Sequence, residues 1–87
     1  MKPVLGKPQF KKGAKVSFVW RGIELKGFVA IVDSYGTFEQ HEEPSYDIWS
    51  FLGEEVCLYK HCRESTVSHC DEELRRLESA LNDILND

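Results

Sequence analysis

Eighty-seven residues, 41% hydrophobic and 30% charged with three prolines and six glycines, describe one folded domain with one modest core, because so short a chain cannot enclose two cores and so apolar a one does not stay disordered. Eleven Lys/Arg against 15 Asp/Glu leave a net charge of -4, which argues against a general nucleic-acid coat. The opening Met1–Pro8 holds no apolar run of signal-peptide length, no stretch approaches the roughly twenty apolar residues of a membrane span, and Cys57, Cys62 and Cys70 are an odd, clustered set unsuited to a disulfide framework. A cytoplasmic protein with reduced thiols, off the membrane, is therefore expected.

The charge is unevenly spread: residues 1–26 carry seven Lys/Arg against Glu24 alone, and residues 27–87 carry four against fourteen acids. Residues 1–9 read as an extended arm, since Pro3 and Pro8 remove amide donors and disfavour helix before them. Phe10-Lys11-Lys12-Gly13 reads as a turn. From Lys15 to Trp20 the apolar Val16, Phe18 and Trp20 alternate with their neighbours, the period-two pattern of a half-buried strand. Arg21-Gly22 marks a tight hairpin connection into Ile23-Glu24-Leu25-Lys26, and after Gly27 the run Phe28–Val32 continues as strand. Gly27 suits a bulge or sharp bend that curls a small sheet.

Between Asp33 and Pro44 the alternation stops, predicting a long exposed loop. Tyr46–Phe51 resumes it, Gly53-Glu54-Glu55 supplies a turn, Val56–His61 reads as the return strand, and Thr66-Val67-Ser68 as a short closing strand. In the tail, Asp71-Glu72-Glu73 places negative charge at a helix start, with Ser68 or Asp71 as cap, and Leu74, Leu77, Leu81 and Ile84 recur at helical spacing. That stripe is suited to pack over the sheet or to pair with a symmetry mate in a homodimer.

Phe10-Lys11-Lys12-Gly13-Ala14-Lys15-Val16, Gly22, the strand through Gly27 to Val32, and Leu58-Tyr59-Lys60-His61 followed by Glu64 and Val67 together resemble the strand grammar of SH3-like small barrels, with Ala14 where such barrels often carry Asp. The resemblance implies a mainly β fold, a five-stranded antiparallel barrel over residues 10–68; the amphipathic helix of residues 69–87, read from the leucine spacing, lies outside the pattern. The stretch Asp33–Ile48, with Leu58–His61 after it, also resembles small proteins of Gram-positive phages and prophages. That second resemblance implies a protein acting in the bacterial host cytoplasm that engages a host factor, such as an inhibitor of host defence.

The loop from Tyr35 to Asp47 interleaves aromatics (Tyr35, Phe38, Tyr46) with carboxylates (Glu39, Glu42, Glu43, Asp47) around His41, a pattern expected to bind a basic protein partner, as eukaryotic SH3 domains meet basic Pro-rich peptides. The competing reading is that Phe38 and Tyr46 plug the open end of a barrel. A second surface, Lys11, Lys12, Lys15, Trp20, Arg21 and Lys26, with Phe10 as a further stacking candidate, is the pattern of a nucleic-acid-binding hairpin. The resemblance to phage proteins also implies a third reading, a binder that sequesters a small signalling nucleotide between subunits. Cys57, His61, Cys62, His69 and Cys70 supply metal-ligand types, but the spacing lacks the paired knuckle of structural zinc, so no metal is expected. No Gly-x-Ser-x-Gly, His-Glu-x-x-His or phosphate-cradling loop occurs, and a barrel this small has little room for an enclosed pocket. No catalytic residue and no cofactor are expected.

Overall fold

The computed structural model describes residues 2–86; Met1 of the expected arm and Asp87 of the expected tail helix lie outside it. The alternating segments form β1 (Lys15–Trp20), β2 (Ile23–Asp33), β3 (Ser45–Leu52), β4 (Glu55–Arg63) and β5 (Val67–His69), with a 3-10 turn at Glu64–Thr66 before β5 and α1 (Arg75–Leu85) after it. All five strands make one antiparallel sheet in the order β4-β3-β2-β1-β5. β1 to β4 are a meander, and the chain then crosses to add β5 beyond β1. The sheet is not closed: β4 and β5 are its two edges.

The β1–β2 connection works because Arg21 and Gly22 both take positive φ (50° and 79°), the twist-matched geometry of a two-residue hairpin. Gly53 (φ 63°) opens the corresponding β3–β4 turn. Gly27 has another role from the one expected. The ladder shift falls at Ala30, between Val29 and Ile31, whereas Gly27 lets β3 approach: a β-carbon there would stand 1.9 Å from the Trp49 carbonyl oxygen. A second shift, between Tyr46 and Ile48, sets Asp47 against both Lys60 and His61, and His61 takes φ 61° to absorb the extra residue.

One face of the sheet holds the core: Phe10, Val16, Phe18, Val29, Tyr46, Ile48, Tyr59 and Cys62 are all buried. Phe18 and Trp20 both meet the Tyr59 ring edge-on, at 5.4 and 5.2 Å. On the other face Phe28, Trp49 and Leu58 stand in register across β2, β3 and β4, and α1 lies over that side. Leu77 and Leu81 are buried, Leu74 is half-buried, and Ile84 and Leu85 are more than half exposed. The tail helix thus packs within its own chain through Leu77 and Leu81.

α1 begins at Arg75, four residues later than the acidic run implied. Its N-cap position falls on Leu74, which has no side-chain oxygen to offer, so neither Ser68 nor Asp71 caps it. Glu72 instead pairs with Lys26 at 2.7 Å. The arm also departs from expectation. Lys7 N–H donates to the Val4 carbonyl at 2.9 Å to close a turn, and Gly6 N–H donates to the Ser34 carbonyl at 2.7 Å, so the segment folds back on the loop after β2.

Candidate functional site

The loop between β2 and β3, residues 34–44, is braced from within by Gln40 and Thr37. Gln40 Oε1 accepts from the Glu42 and Glu43 amides at 2.9 and 3.0 Å, and its Nε2 donates to the Glu43 carbonyl at 3.2 Å. Thr37 closes the tip, its N–H donating to the Gln40 carbonyl at 2.6 Å while its Oγ1 accepts from Gln40 N–H at 3.0 Å. Gly36 (φ 76°) is required because a β-carbon there would come within 2.2 Å of the Gln40 carbonyl oxygen. On this braced tip Phe38 is 100% exposed and Tyr35 71% exposed, the Tyr35 ring resting on Gly6 of the arm. Glu39, His41 and Glu42 are also exposed. Phe38 plugs nothing.

Three of the eight expected contact residues belong to the interior instead. Glu43 is 7% exposed; its carboxylate accepts from Ser65 N–H (2.6 Å), Ser65 Oγ (3.2 Å) and Arg63 Nε (2.9 Å). Burial works to raise its pKa, but the Ser65 and Arg63 hydrogen bonds and the guanidinium charge override that and hold it below the usual carboxylate range. Tyr46 fills the core, its hydroxyl donating to the buried Glu64 carboxylate and accepting from Phe10 N–H at 3.3 Å; burial, then the Glu64 contact, raises the phenol pKa well above its usual value. Asp47 is 6% exposed and accepts from His61 N–H at 3.0 Å. Sequence reasoning placed Glu43 and Asp47 at the surface and left Tyr46 between surface contact and interior plug, because acids and tyrosines between a loop and a strand carry no local sign of burial.

The basic set is dispersed. Lys11 and Lys12 precede β1 and Arg21 follows it, so a six-residue strand, roughly 20 Å long, separates them. Lys15 is half-buried, and Lys26 is bound to Glu72, whose hydrogen bond raises the ammonium pKa. Trp20 is engaged by Tyr59, with the Arg21 guanidinium 5.9 Å over its ring. Phe10 is buried and offers no stacking face.

Outside the core a groove of about 510 Å³ runs between α1 and the sheet, its floor made by Phe28, Ala30, Trp49 and Leu58 and its wall by Leu81 and Leu85. Its volume falls within the range of small-molecule sites, which the expectation of little room for a pocket did not foresee, because the space comes from the helix and not from a barrel interior. Among the described residues Lys12 is the one cation along it.

The cysteines and histidines of residues 57–70 do not converge. Cys62 is buried, its thiol pKa pushed up to about 12 by burial first and by the Asp47 charge second. Among the described residues the group that could hold a metal is a different one, Asp33, Asp47 and His61, whose ligand atoms lie within 4.8 Å of one another. Also among the described residues, no helix is long and apolar enough to cross a membrane.

No family model, no curated protein and no solved structure matches this chain.

Proposed function

We propose that this chain is a non-enzymatic binding protein of SH3-like build that engages a host protein through the tip of the loop between β2 and β3, with Phe38 as the anchor and Tyr35, Glu39, His41 and Glu42 around it. The strand order and the 3-10 turn before β5 support the SH3-like reading. One observation carries the functional one: a fully exposed phenylalanine on a loop whose backbone is already fixed by Gln40, Thr37 and Gly36. With the loop backbone already fixed, little backbone entropy is lost on binding, and burying the ring in a partner contributes about 1.5–3 kcal/mol against about 0.5–1.5 kcal/mol for immobilising the side chain. The flanking Glu39 and Glu42 select a partner with a basic rim. The resemblance to phage proteins makes a host defence factor the favoured target.

Nucleic-acid binding draws less support, since the cations are split between the two ends of β1 and Lys26 is already paired. Nucleotide sequestration draws less still, because the groove beside α1 is apolar and, among the described residues, offers only Lys12 to a phosphate.

The experiment is affinity purification of tagged protein from a Gram-positive bacterial lysate, with and without nuclease, for the wild type and for Phe38→Ala. A nuclease-resistant partner retained by the wild type and lost by Phe38→Ala, with unchanged urea unfolding, is the expected result. Equal retention by both, or retention abolished by nuclease, rejects the proposal.

A further inference from the structure

We infer that Asp33, Asp47 and His61 form a binding site for a divalent transition-metal cation such as Mn²⁺ or Zn²⁺, built on the outer face of the sheet. The three residues come from three adjacent strands. Asp33 ends β2, Asp47 lies in β3 and His61 in β4, and one donor atom from each lies within 4.8 Å of the other two, with His61 Nδ1 3.9 Å from Asp47 Oδ1. The sheet places two of them by its register: Ile31 pairs with Asp47 and Asp33 with Ser45, so Asp33 and Asp47 share the face that also carries Trp49. The bulge between Tyr46 and Ile48 places the third, turning His61 toward Asp47.

The charge of the site points the same way. Asp47 is 6% exposed, and the one hydrogen bond to its carboxylate is from His61 N–H to Oδ1. Neither Asp33 nor Asp47 is paired with a Lys or Arg among the described residues. Two carboxylates therefore share a partly desolvated site with an imidazole that, when neutral, offers a lone pair and no charge. A divalent cation satisfies every one of these groups: it neutralises both carboxylates and accepts the Nδ1 lone pair. The donor set of two oxygens and one nitrogen suits Mn²⁺ or Zn²⁺ better than Ca²⁺ or Mg²⁺, which favour oxygen alone.

Bound ligand atoms sit about 3 Å apart around such a cation, given bond lengths of about 2.0–2.2 Å, so the site closes by roughly 1–2 Å on loading. That movement falls to the exposed His61 and half-buried Asp33 side chains, while Asp47 stays fixed in the ladder. Water fills the remaining positions. Because Asp33 leads into the loop of residues 34–44 and Asp47 lies just beyond it, a cation here ties the two ends of that loop to β4. The inference stands whether or not the loop binds a protein.

The test is Mn²⁺ titration of ¹⁵N-labelled protein, read by paramagnetic line broadening, with thiols contributing little because Mn²⁺ is a poor thiolate acceptor. Broadening centred on residues 33, 47 and 61, with the apparent Kd weakened at least ~10-fold in Asp33→Asn and in His61→Ala, is expected. Asp47→Asn keeps the oxygen that accepts from His61 N–H while removing the charge, so it tests the ligand without deleting the structural bond; it should weaken binding to the same degree. Broadening centred elsewhere, affinity unchanged in the three variants, or no broadening at millimolar Mn²⁺ overturns the inference.

Discussion

Replacing Glu43 by Gln separates a structural acid from the exposed acids that surround it in sequence. In the native protein the carboxylate accepts from Ser65 N–H, Ser65 Oγ and Arg63 Nε, and lies 2.8 Å from Arg63 Nη2, with only 10% of its side chain exposed. Gln keeps one acceptor for Ser65 N–H but loses the charge facing the guanidinium and turns an amide donor toward either Arg63 or Ser65 Oγ. A hydrogen bond to a charged group is worth about 1.5–3 kcal/mol net, and the half-exposed Arg63 retains water as a substitute partner, so a loss of about 2 kcal/mol is expected. For a domain of this size that lowers Tm by roughly 8–16 °C. Glu42→Gln is the internal control: Glu42 is 84% exposed and 3.7 Å from Arg63 Nη2, and its loss is expected to cost under about 0.5 kcal/mol.

The pH dependence sharpens the test. Glu43 titrates in the folded protein below its unfolded value of 4.5, so the stability it contributes is complete above that pH and is lost as pH falls through the folded pKa. Urea unfolding of wild type and Glu43→Gln from pH 7 downward should therefore show a gap in ΔG that is constant near neutrality and narrows below about pH 4.5. A variant as stable as Glu42→Gln at pH 7, or a gap that does not change with acid, would refute the assignment of Glu43 to the interior network.

Other outcomes follow from the same geometry. Gly27→Ala should cost about 3 kcal/mol or more in urea unfolding, because the new methyl meets the Trp49 backbone, which cannot move aside as a side chain would. Leu77→Ala should cost about 2–5 kcal/mol while Leu85→Ala, at a position 62% exposed, should cost under about 0.5 kcal/mol; equal losses would mean that α1 is not docked through Leu77. The Cys62 thiol, with its pKa near 12, should react with a thiol-specific disulfide reagent at pH 8 far more slowly in the native protein than in urea, and a native rate equal to the unfolded rate would contradict its burial.

Period-two alternation in β1, the Arg21-Gly22 hairpin, and the leucines of α1 were legible in the sequence because each is a local property: the residues that define them are neighbours or one turn apart. The mainly β class with a terminal helix followed from those local patterns. The loop before β3 was legible as a loop, and Tyr35, Phe38, Glu39, His41 and Glu42 as its exposed part. Nothing local distinguishes Glu42 from Glu43, however. Glu43 is interior because Arg63 and Ser65, some twenty residues on, are brought beneath it by the β3–β4 pairing. Asp47 likewise depends on the bulge opposite His61, and Gly27 on the approach of a strand more than twenty residues away. The helix start moved from Asp71 to Arg75, with Glu72 paired to Lys26 across the fold. Sequence by itself determined which segments alternate and which coil, since side-chain period is set by backbone geometry. Only the tertiary structure decided which polar groups are buried and which three donors meet at Asp33, Asp47 and His61, because both depend on register and bulges between strands that no local pattern records.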